Sequence, residues 1–199
     1  MEYLKKIVEI VKPDVRQNCF VKIDVQNGTF HPFTLEDFHQ KAKSIKLHAS
    51  VPENIRSHFA TARNLIVYSW FYYPFNVTAQ FIAYTTVEFA LRTKFNDRRT
   101  NFKNLLKKAI DAGLITDRGF SDRVRKVKHI RENNAVLLPD FHLPEPKLMR
   151  EYADTLVESI PFLRNQIAHG TNMLHEQGAK HVRICAELIN QLFPSTPIN

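Results

Sequence analysis

The feature that most constrains this chain is a long run of apolar residues at helical spacing, interrupted by one proline. From residue 53 to 73 apolar side chains recur every three or four positions, and the spacing resumes from Asn76 to Phe95. Such spacing gathers apolar side chains on one helix face, whereas a half-buried strand alternates at every second residue. Pro74 cannot donate to the preceding turn and separates the two helices. The low glycine content, 5 of 199 residues, argues against an all-β sandwich, and the helical spacing predicts an all-α bundle.

The N-terminal part of the chain is predicted to be a small extension of this bundle. Residues 1–12 predict a short amphipathic helix, and the alternation from Phe20 to Val25 before Asn27-Gly28 predicts a β-hairpin. Thr34 is predicted to cap a helix over 35–47. The remaining predicted helices cover 53–73, 76–95, 101–112, 121–131, 147–169 and about 174–193. The chain therefore divides into an extension, 1–50, and a helical domain, 51–199, which we expect to form one compact unit.

The positive charge of the chain is concentrated in one segment. The net charge is +8, and residues 92–131 hold 13 of the 28 lysines and arginines against four aspartates, a local net charge of +9. The other residues, with 15 basic and 16 acidic side chains, sum to −1. An excess this concentrated is typical of a surface that binds a polyanion, while the alternative is a solvated helical face. We expect this segment to bind nucleic acid.

The sequence predicts a cytoplasmic protein without membrane contact. It has no run of about 18 apolar residues, and its first residues lack the apolar stretch of a signal peptide. Cys19 and Cys185 show no metal-type spacing, which favours a reducing compartment. The histidines form no zinc pattern, and no glycine-rich phosphate loop is present. We therefore expect no metal and no other cofactor.

A polar cluster near the C-terminus suits chemistry on RNA. The stretch from Ile160 to Gly170 places Arg164, Asn165 and His169 at the end of an apolar helix. Arginine can bind a phosphate with two parallel hydrogen bonds, and histidine changes its charge near neutral pH. Together they can hold a phosphodiester and move a proton without a metal.

The spacing separates these three residues around the helix. Asn165 and His169 are four residues apart and lie on one face, whereas Arg164 is rotated by about 140° from His169 with a rise of about 7.5 Å. Arg164 either folds back along its own helix or acts across an interface, since a symmetric dimer would bring two sets together. A second arginine–histidine pair, Arg123 and His129, lies among the abundant charges of the basic segment.

The pattern Arg-Asn-x-x-x-His, formed by Arg164, Asn165 and His169 on a late helix of a small helical domain, resembles the HEPN superfamily. The resemblance covers about residues 53–193. It implies a helical bundle of the HEPN type, a homodimer with a composite site at its interface, and metal-independent endoribonuclease activity. Arg164 and His169 would be catalytic and Asn165 auxiliary. The 2′-OH of RNA would attack, leaving a 2′,3′-cyclic phosphate and a 5′-OH.

A lone carboxylate, Glu88, stands among apolar residues in the helix predicted over 76–95. HEPN domains often carry an acid in an early core helix near the arginine and histidine, so the resemblance implies that Glu88 supports Arg164. The alternative is an ordinary ion pair with Arg92, four residues later on the same helix.

The resemblance also implies a biological setting. HEPN proteins of prokaryotes include toxins of toxin–antitoxin and phage-defence systems, whose activity is held down by an antitoxin or another regulatory protein. Two alternatives stay open: a catalytically silent HEPN-like module that binds RNA or a partner protein, and a DNA-binding regulator that uses the basic segment. The side chains expected to bind RNA are Arg98, Arg99, Lys103, Lys107, Arg123, Arg125, Lys126 and Lys128.

Overall fold

The computed structural model describes residues 4–124, 151–170 and 175–195, and these are mostly helical. The all-α architecture with an N-terminal hairpin is confirmed at this level. The helices are α1 (Leu35–Ser44), α2 (Glu53–Tyr68), α3 (Phe75–Phe95), α4 (Phe102–Asp111), α5 (Glu151–Ala168) and α6 (Gly178–Leu192). The strands are β1 (Val21–Asp24) and β2 (Thr29–Pro32), and short 3-10 turns lie at Ile7–Glu9, Val15–Cys19 and Asp117–Gly119.

The central element of the bundle is α3, which contacts α2, α4, α5 and α6. It occupies this place because apolar and small residues surround most of its circumference, as in helices buried in a core. Ala79, Ala83 and Ala90 are fully buried and allow neighbouring backbones to approach, while Val87 and Leu91 fill the space between the helices. A long polar side chain on α3 can therefore reach a neighbouring helix.

The last helix, α6, runs parallel to α3. Its first residue, Gly178, lies against the Asn76 backbone at the start of α3, and His181 one turn later contacts Tyr84. A Cβ at Gly178 would stand 2.8 Å from the Asn76 carbonyl oxygen, so only glycine permits this approach. The parallel pairing places the start of α6 beside the N-terminal extension.

The N-terminal hairpin and the helix that follows it agree with the sequence-based prediction. β1 and β2 pair antiparallel from Val21 opposite Pro32 to Asp24 opposite Thr29, and Gly28 in the turn has a φ of +65°. α1 begins at the predicted cap, because the Thr34 hydroxyl accepts from the Asp37 backbone and the Asp37 carboxylate accepts from the Thr34 backbone. Pro32 is the last residue of the hairpin.

Two predicted helices are wrong in extent. Residues 1–12 form no α-helix among those described, only the 3-10 turn Ile7–Glu9, because their apolar side chains are exposed and no tertiary packing offsets the cost of helix nucleation. The helix predicted over 53–73 ends at Tyr68. The turn after it is held by the N-terminal extension, since buried Gln17 donates to the Ser69 carbonyl and buried Asp14 accepts from the Tyr73 backbone.

The other helix boundaries shift by a few residues. α1 ends at Ser44 rather than 47, because Ile45 adopts an extended backbone and enters the same buried core as α2 and α3. α6 begins at Gly178 rather than 174. Most of the predicted basic helix 121–131, the connector after it and residues 147–150 lie outside the described residues. None of the described helices combines the length and the apolar character needed to cross a membrane.

Candidate functional site at the end of α5

The Arg164, Asn165 and His169 cluster lies where the sequence placed it, at the end of α5. The His169 backbone donates to the Asn165 carbonyl at 2.9 Å and completes the last turn. Gly170 follows with a φ of +87°, in the left-handed region that commonly ends helices. The predicted end of this helix at Gly170 is confirmed.

The last turns of α5 present different residues to the two sides of the helix. Phe162, Asn165 and His169 are exposed, and Phe162 keeps 60% of its surface accessible. Their spacing of three and seven residues confines them to about 60° of the helix surface. We call these three residues the outer stripe. Arg164 instead faces the bundle, with only 26% of its side chain exposed, beside Ile167, which packs against the core.

Glu88 on α3 bonds to two arginines at once. Its Oε2 accepts from Arg164 Nη2 at 2.7 Å, and its Oε1 accepts from Arg92 Nη2 at 2.7 Å. Both interactions predicted as alternatives are therefore present. The carboxylate is 17% exposed, so these charge-assisted bonds are partly shielded from water. Glu88 fixes the Arg164 guanidinium, and two cations against one anion leave a net charge of +1.

The Arg164 guanidinium is held on a second side by an aromatic ring. Its Cζ lies 5.7 Å from the centre of the Phe102 ring, at the start of α4, within the range of a cation–π contact. Its Nε is buried and has no hydrogen-bond partner among the described residues. Since a guanidinium has five donors and Glu88 takes one of them, Arg164 keeps donor capacity for a further anion.

The described residues provide no side-chain hydrogen bond to Asn165 or His169. Both side chains lie on the outer stripe and are open to solvent. Within one chain, no hydrogen bond joins either of them to Arg164 in the part that the structure describes. The three residues therefore share one helix end but do not form a closed constellation in a single copy.

The basic residues predicted to bind RNA lie in two groups. Arg98, Arg99, Lys103 and Lys107 are exposed, at the turn before α4 and along its outer face. Lys103 Nζ lies 2.6 Å from Glu158 on α5, so this face adjoins the helix that carries Arg164.

The second group of basic residues is only partly described. Arg123 lies 4.0 Å from Asp117, and its Cζ is 5.4 Å from the centre of the Tyr152 ring. It is thus partly occupied by contacts within the fold. Arg125, Lys126 and Lys128, together with His129, lie outside the described residues. Among those that the structure does describe, no three histidine, cysteine or acidic side chains converge to hold a metal ion.

A row of hydrogen-bonded polar side chains lies between α3 and α6 and was not predicted from the sequence. Gln80 Nε2 donates to the Tyr84 hydroxyl at 2.7 Å, and that hydroxyl lies 2.8 Å from His181 Nδ1. Because Gln80 supplies the hydrogen in the first bond, the hydrogen of the Tyr84 hydroxyl is available to donate to an unprotonated Nδ1. Burial, together with the nearby charges of His175 and Lys180, lowers the pKa of His181 to about 4. His181 is therefore neutral at pH 7.

Two features of this site, the position of Phe102 and the exposure of Phe162, have no signal in the sequence. Phe102 lies under Arg164 only because α4 and α5 pack together. Phe162 is exposed, but it stands in an apolar run of the sequence and cannot be told there from its buried neighbours. Helical spacing suggested Arg92 as a partner of Glu88 but gave no reason for Glu88 to serve two partners. No protein-family model, no curated protein and no solved structure matches this chain significantly.

Proposed function

We propose that this chain is a metal-independent endoribonuclease of the HEPN type, which cleaves RNA by attack of a ribose 2′-OH. The observation that carries the proposal is the fixed Arg164 guanidinium, bonded to Glu88 at 2.7 Å, next to the open Asn165 and His169 at the end of one helix. The resemblance of the Arg-Asn-x-x-x-His pattern to HEPN nucleases supports the same reading.

Each residue has a distinct role in this proposal. His169 takes the proton from the 2′-OH, or donates one to the 5′-oxygen that leaves, so it must be reachable from solvent. Arg164 binds the scissile phosphate with its remaining donors and stabilises the negative charge that develops on the phosphate oxygens. Asn165 orients the phosphate or the imidazole. The products are a 2′,3′-cyclic phosphate and a 5′-OH, and DNA is spared because it lacks the nucleophile.

In this proposal two copies of the chain bring their Asn165–His169 pairs together. Within one copy Arg164 and His169 point to sides of α5 that differ by about 140°. If the outer stripes of two copies pair, the exposed Phe162 is covered, and both Asn165–His169 pairs meet at one interface. The exposed Arg98, Arg99, Lys103 and Lys107 then guide RNA toward this helix.

The first experiment incubates purified protein with total RNA in EDTA. The wild type is expected to cleave and to leave cyclic phosphate ends, whereas His169→Ala loses at least about 100-fold in rate, the usual contribution of a general acid or base. Arg164→Ala is expected to lose a similar factor without unfolding, because Glu88 keeps its bond to Arg92. Glu88→Gln should reduce the rate less, since it loosens Arg164 without removing it.

Matched controls distinguish the site from general charge. His48→Ala and Arg56→Ala remove an exposed imidazole and an exposed guanidinium outside residues 92–131 and should leave cleavage unchanged. Cleavage that survives His169→Ala and Arg164→Ala would place the chemistry elsewhere or in a contaminant. If the wild type and every variant leave the RNA intact at concentrations where the protein dimerises, the nuclease proposal is wrong.

A second function is favoured by one observation. The Arg164 guanidinium is already bonded to Glu88 and lies against Phe102, which suits a structural role in joining α3, α4 and α5. A catalytically silent HEPN-like module that binds RNA or a regulatory protein would need no more than this. It predicts RNA binding that weakens steeply with salt but no cleavage, and it predicts that His169→Ala has no effect on growth of an expressing cell.

A further inference from the structure

A cavity of about 340 Å³ lies between the hairpin, α1 and the start of α6. This volume is at the lower end of the range of small-molecule sites, about 300–1,000 Å³. Asn76, at the start of α3, lines it and is twelve residues from Glu88, or about 18 Å of helix. The cavity is therefore a different place from the end of α5 and does not depend on the proposed nuclease function.

Four aromatic rings form much of the cavity wall. The Phe20 and Tyr73 rings are stacked, with an interplanar angle of 3° and centroids 6.0 Å apart. Phe33 and Phe38 meet edge to face, with centroids 6.3 Å apart. An aromatic lining of this kind favours a flat ring as its occupant, because aromatic contacts, stacked or edge to face, add to the free energy of simple burial.

Three cationic side chains line the same cavity from two sides. Lys41 comes from α1, whereas Lys180 and Arg183 come from α6, where they are three residues apart. None of the three forms a close ion pair with a carboxylate in the described part of the chain. Glu176 is the acidic side chain of the lining, which leaves the cavity with a net charge of +2.

Lys41 is the most constrained of the three cations. Its Nζ lies 3.9 Å from the centre of the Phe33 ring and 5.2 Å from that of Phe38. Burial lowers its pKa, and the acids Asp37 and Glu176 counter this only from a distance. A partly buried ammonium without a close counter-ion costs free energy, which a bound anion would recover.

We propose that this cavity binds a small organic anion that carries a flat ring. The ring packs against the walls formed by Phe33, Phe38 and Tyr73. The anionic group accepts hydrogen bonds from Arg183 and Lys180 on one side and lies near Lys41 on the other. The volume admits one bicyclic ring with one anionic group, and excludes a folded polymer.

The test titrates the full-length ¹⁵N-labelled chain with four compounds, followed by NMR. Two of them, 1-naphthyl phosphate and 1-naphthoate, carry both a ring and a charge and distinguish a phosphate from a carboxylate ligand. 1-Naphthol lacks the charge and inorganic phosphate lacks the ring. At least one charged naphthyl compound is expected to shift the amides of residues 176–183, and the two incomplete compounds should bind at least about tenfold more weakly.

Charge variants locate the site. Arg183→Gln and Lys41→Gln should each weaken binding of the charged naphthyl compound at least about tenfold, because each removes a cation from the cavity wall. Lys43→Gln, an exposed lysine of the same helix outside the cavity, should change it less than twofold. If Lys41→Gln fails to fold, Arg183→Gln carries the test. The proposal fails if 1-naphthol binds as tightly as 1-naphthyl phosphate, if neither anion binds at millimolar concentration, or if Lys43→Gln weakens binding as much as Arg183→Gln.

Discussion

The buried His181 makes the stability of this protein depend on pH. In the folded chain its ring sits between α3 and α6 with Nδ1 2.8 Å from the Tyr84 hydroxyl, and burial lowers its pKa to about 4. In the unfolded chain the ring is hydrated and titrates near its ordinary value of 6.5. Because the unfolded state binds a proton first as the pH falls, stability is fully present above pH 6.5 and is lost between 6.5 and 4.

The size of the effect follows from the two pKa values. Protonation of His181 in the unfolded state lowers the free energy of unfolding by about 0.2 kcal/mol at pH 7 and by about 2 kcal/mol at pH 5. Solvent screening reduces this figure, because the His181 ring is not fully enclosed. Acidification from pH 7 to pH 5 should therefore cost about 1 to 2 kcal/mol through this residue alone, a substantial part of the stability of a small domain.

The assay compares urea unfolding of the wild type and of His181→Gln at pH 5, 6 and 7, at fixed protein concentration and ionic strength. Glutamine keeps an acceptor for the Tyr84 hydroxyl but cannot be protonated. The variant is expected to be less stable at pH 7 by about 1 kcal/mol, because the packing is changed, yet to lose about 1 to 2 kcal/mol less than the wild type on acidification.

The control is His48→Gln, which changes an exposed histidine and should keep the pH dependence of the wild type. His175 also lies against His181, and burial lowers its pKa as well, so some dependence of the same sign should persist in His181→Gln. Equal losses in the wild type and in His181→Gln between pH 7 and 5 would refute the reasoning, because His181 would then be charged or hydrated in the folded protein.

Two further predictions concern packing and assembly. Gly178→Ala should lower the urea midpoint by an amount equivalent to about 1–3 kcal/mol, because the new Cβ would lie 2.8 Å from the Asn76 carbonyl oxygen. Helix propensity alone would favour alanine by about 1 kcal/mol, so the expected loss has the opposite sign. An unchanged or raised midpoint, measured beside Gln177→Ala as the neighbouring control, would contradict the prediction. Phe162→Ser should raise the dissociation constant of a homodimer at least about tenfold, measured by sedimentation, and should change the thermal stability of the monomer little. A wild type that stays monomeric at high concentration would contradict the proposed interface.

Sequence patterns were sufficient where a local rule decides the structure. The Thr34 cap, the turn at Gly28 and the helix end at Gly170 each depend on residues within a few positions, and all three are confirmed. The failure over residues 1–12 has the opposite cause. An amphipathic pattern predicts a helix only if a core receives its apolar face, and this segment exposes those side chains instead. Tertiary contacts decide whether this segment forms a helix, and its own twelve residues do not reveal those contacts.

The same distinction applies to the candidate site. The sequence placed Arg164, Asn165 and His169 on one helix end, because their spacing is local. It left the partner of Glu88 open, because that choice depends on how α3 meets α5. No sequence pattern predicts the aromatic and cationic lining of the cavity, since Lys41 and Arg183 are brought together only by the packing of α1 against α2 and of α6 along α3.

The arrangement of two arginines on one carboxylate has a consequence for the proposed chemistry. A lone Glu88–Arg164 pair would be neutral, and a phosphate approaching Arg164 would meet the repulsion of the carboxylate behind it. Arg92 bonds to the other oxygen of Glu88 and returns the network to a net charge of +1. Glu88 then orients Arg164 without cancelling its charge. Arg92→Gln should therefore weaken phosphate binding at Arg164 while leaving the position of Arg164 intact. Glu88→Gln acts by a different route, because it loosens Arg164 but removes the repulsion between the carboxylate and the phosphate.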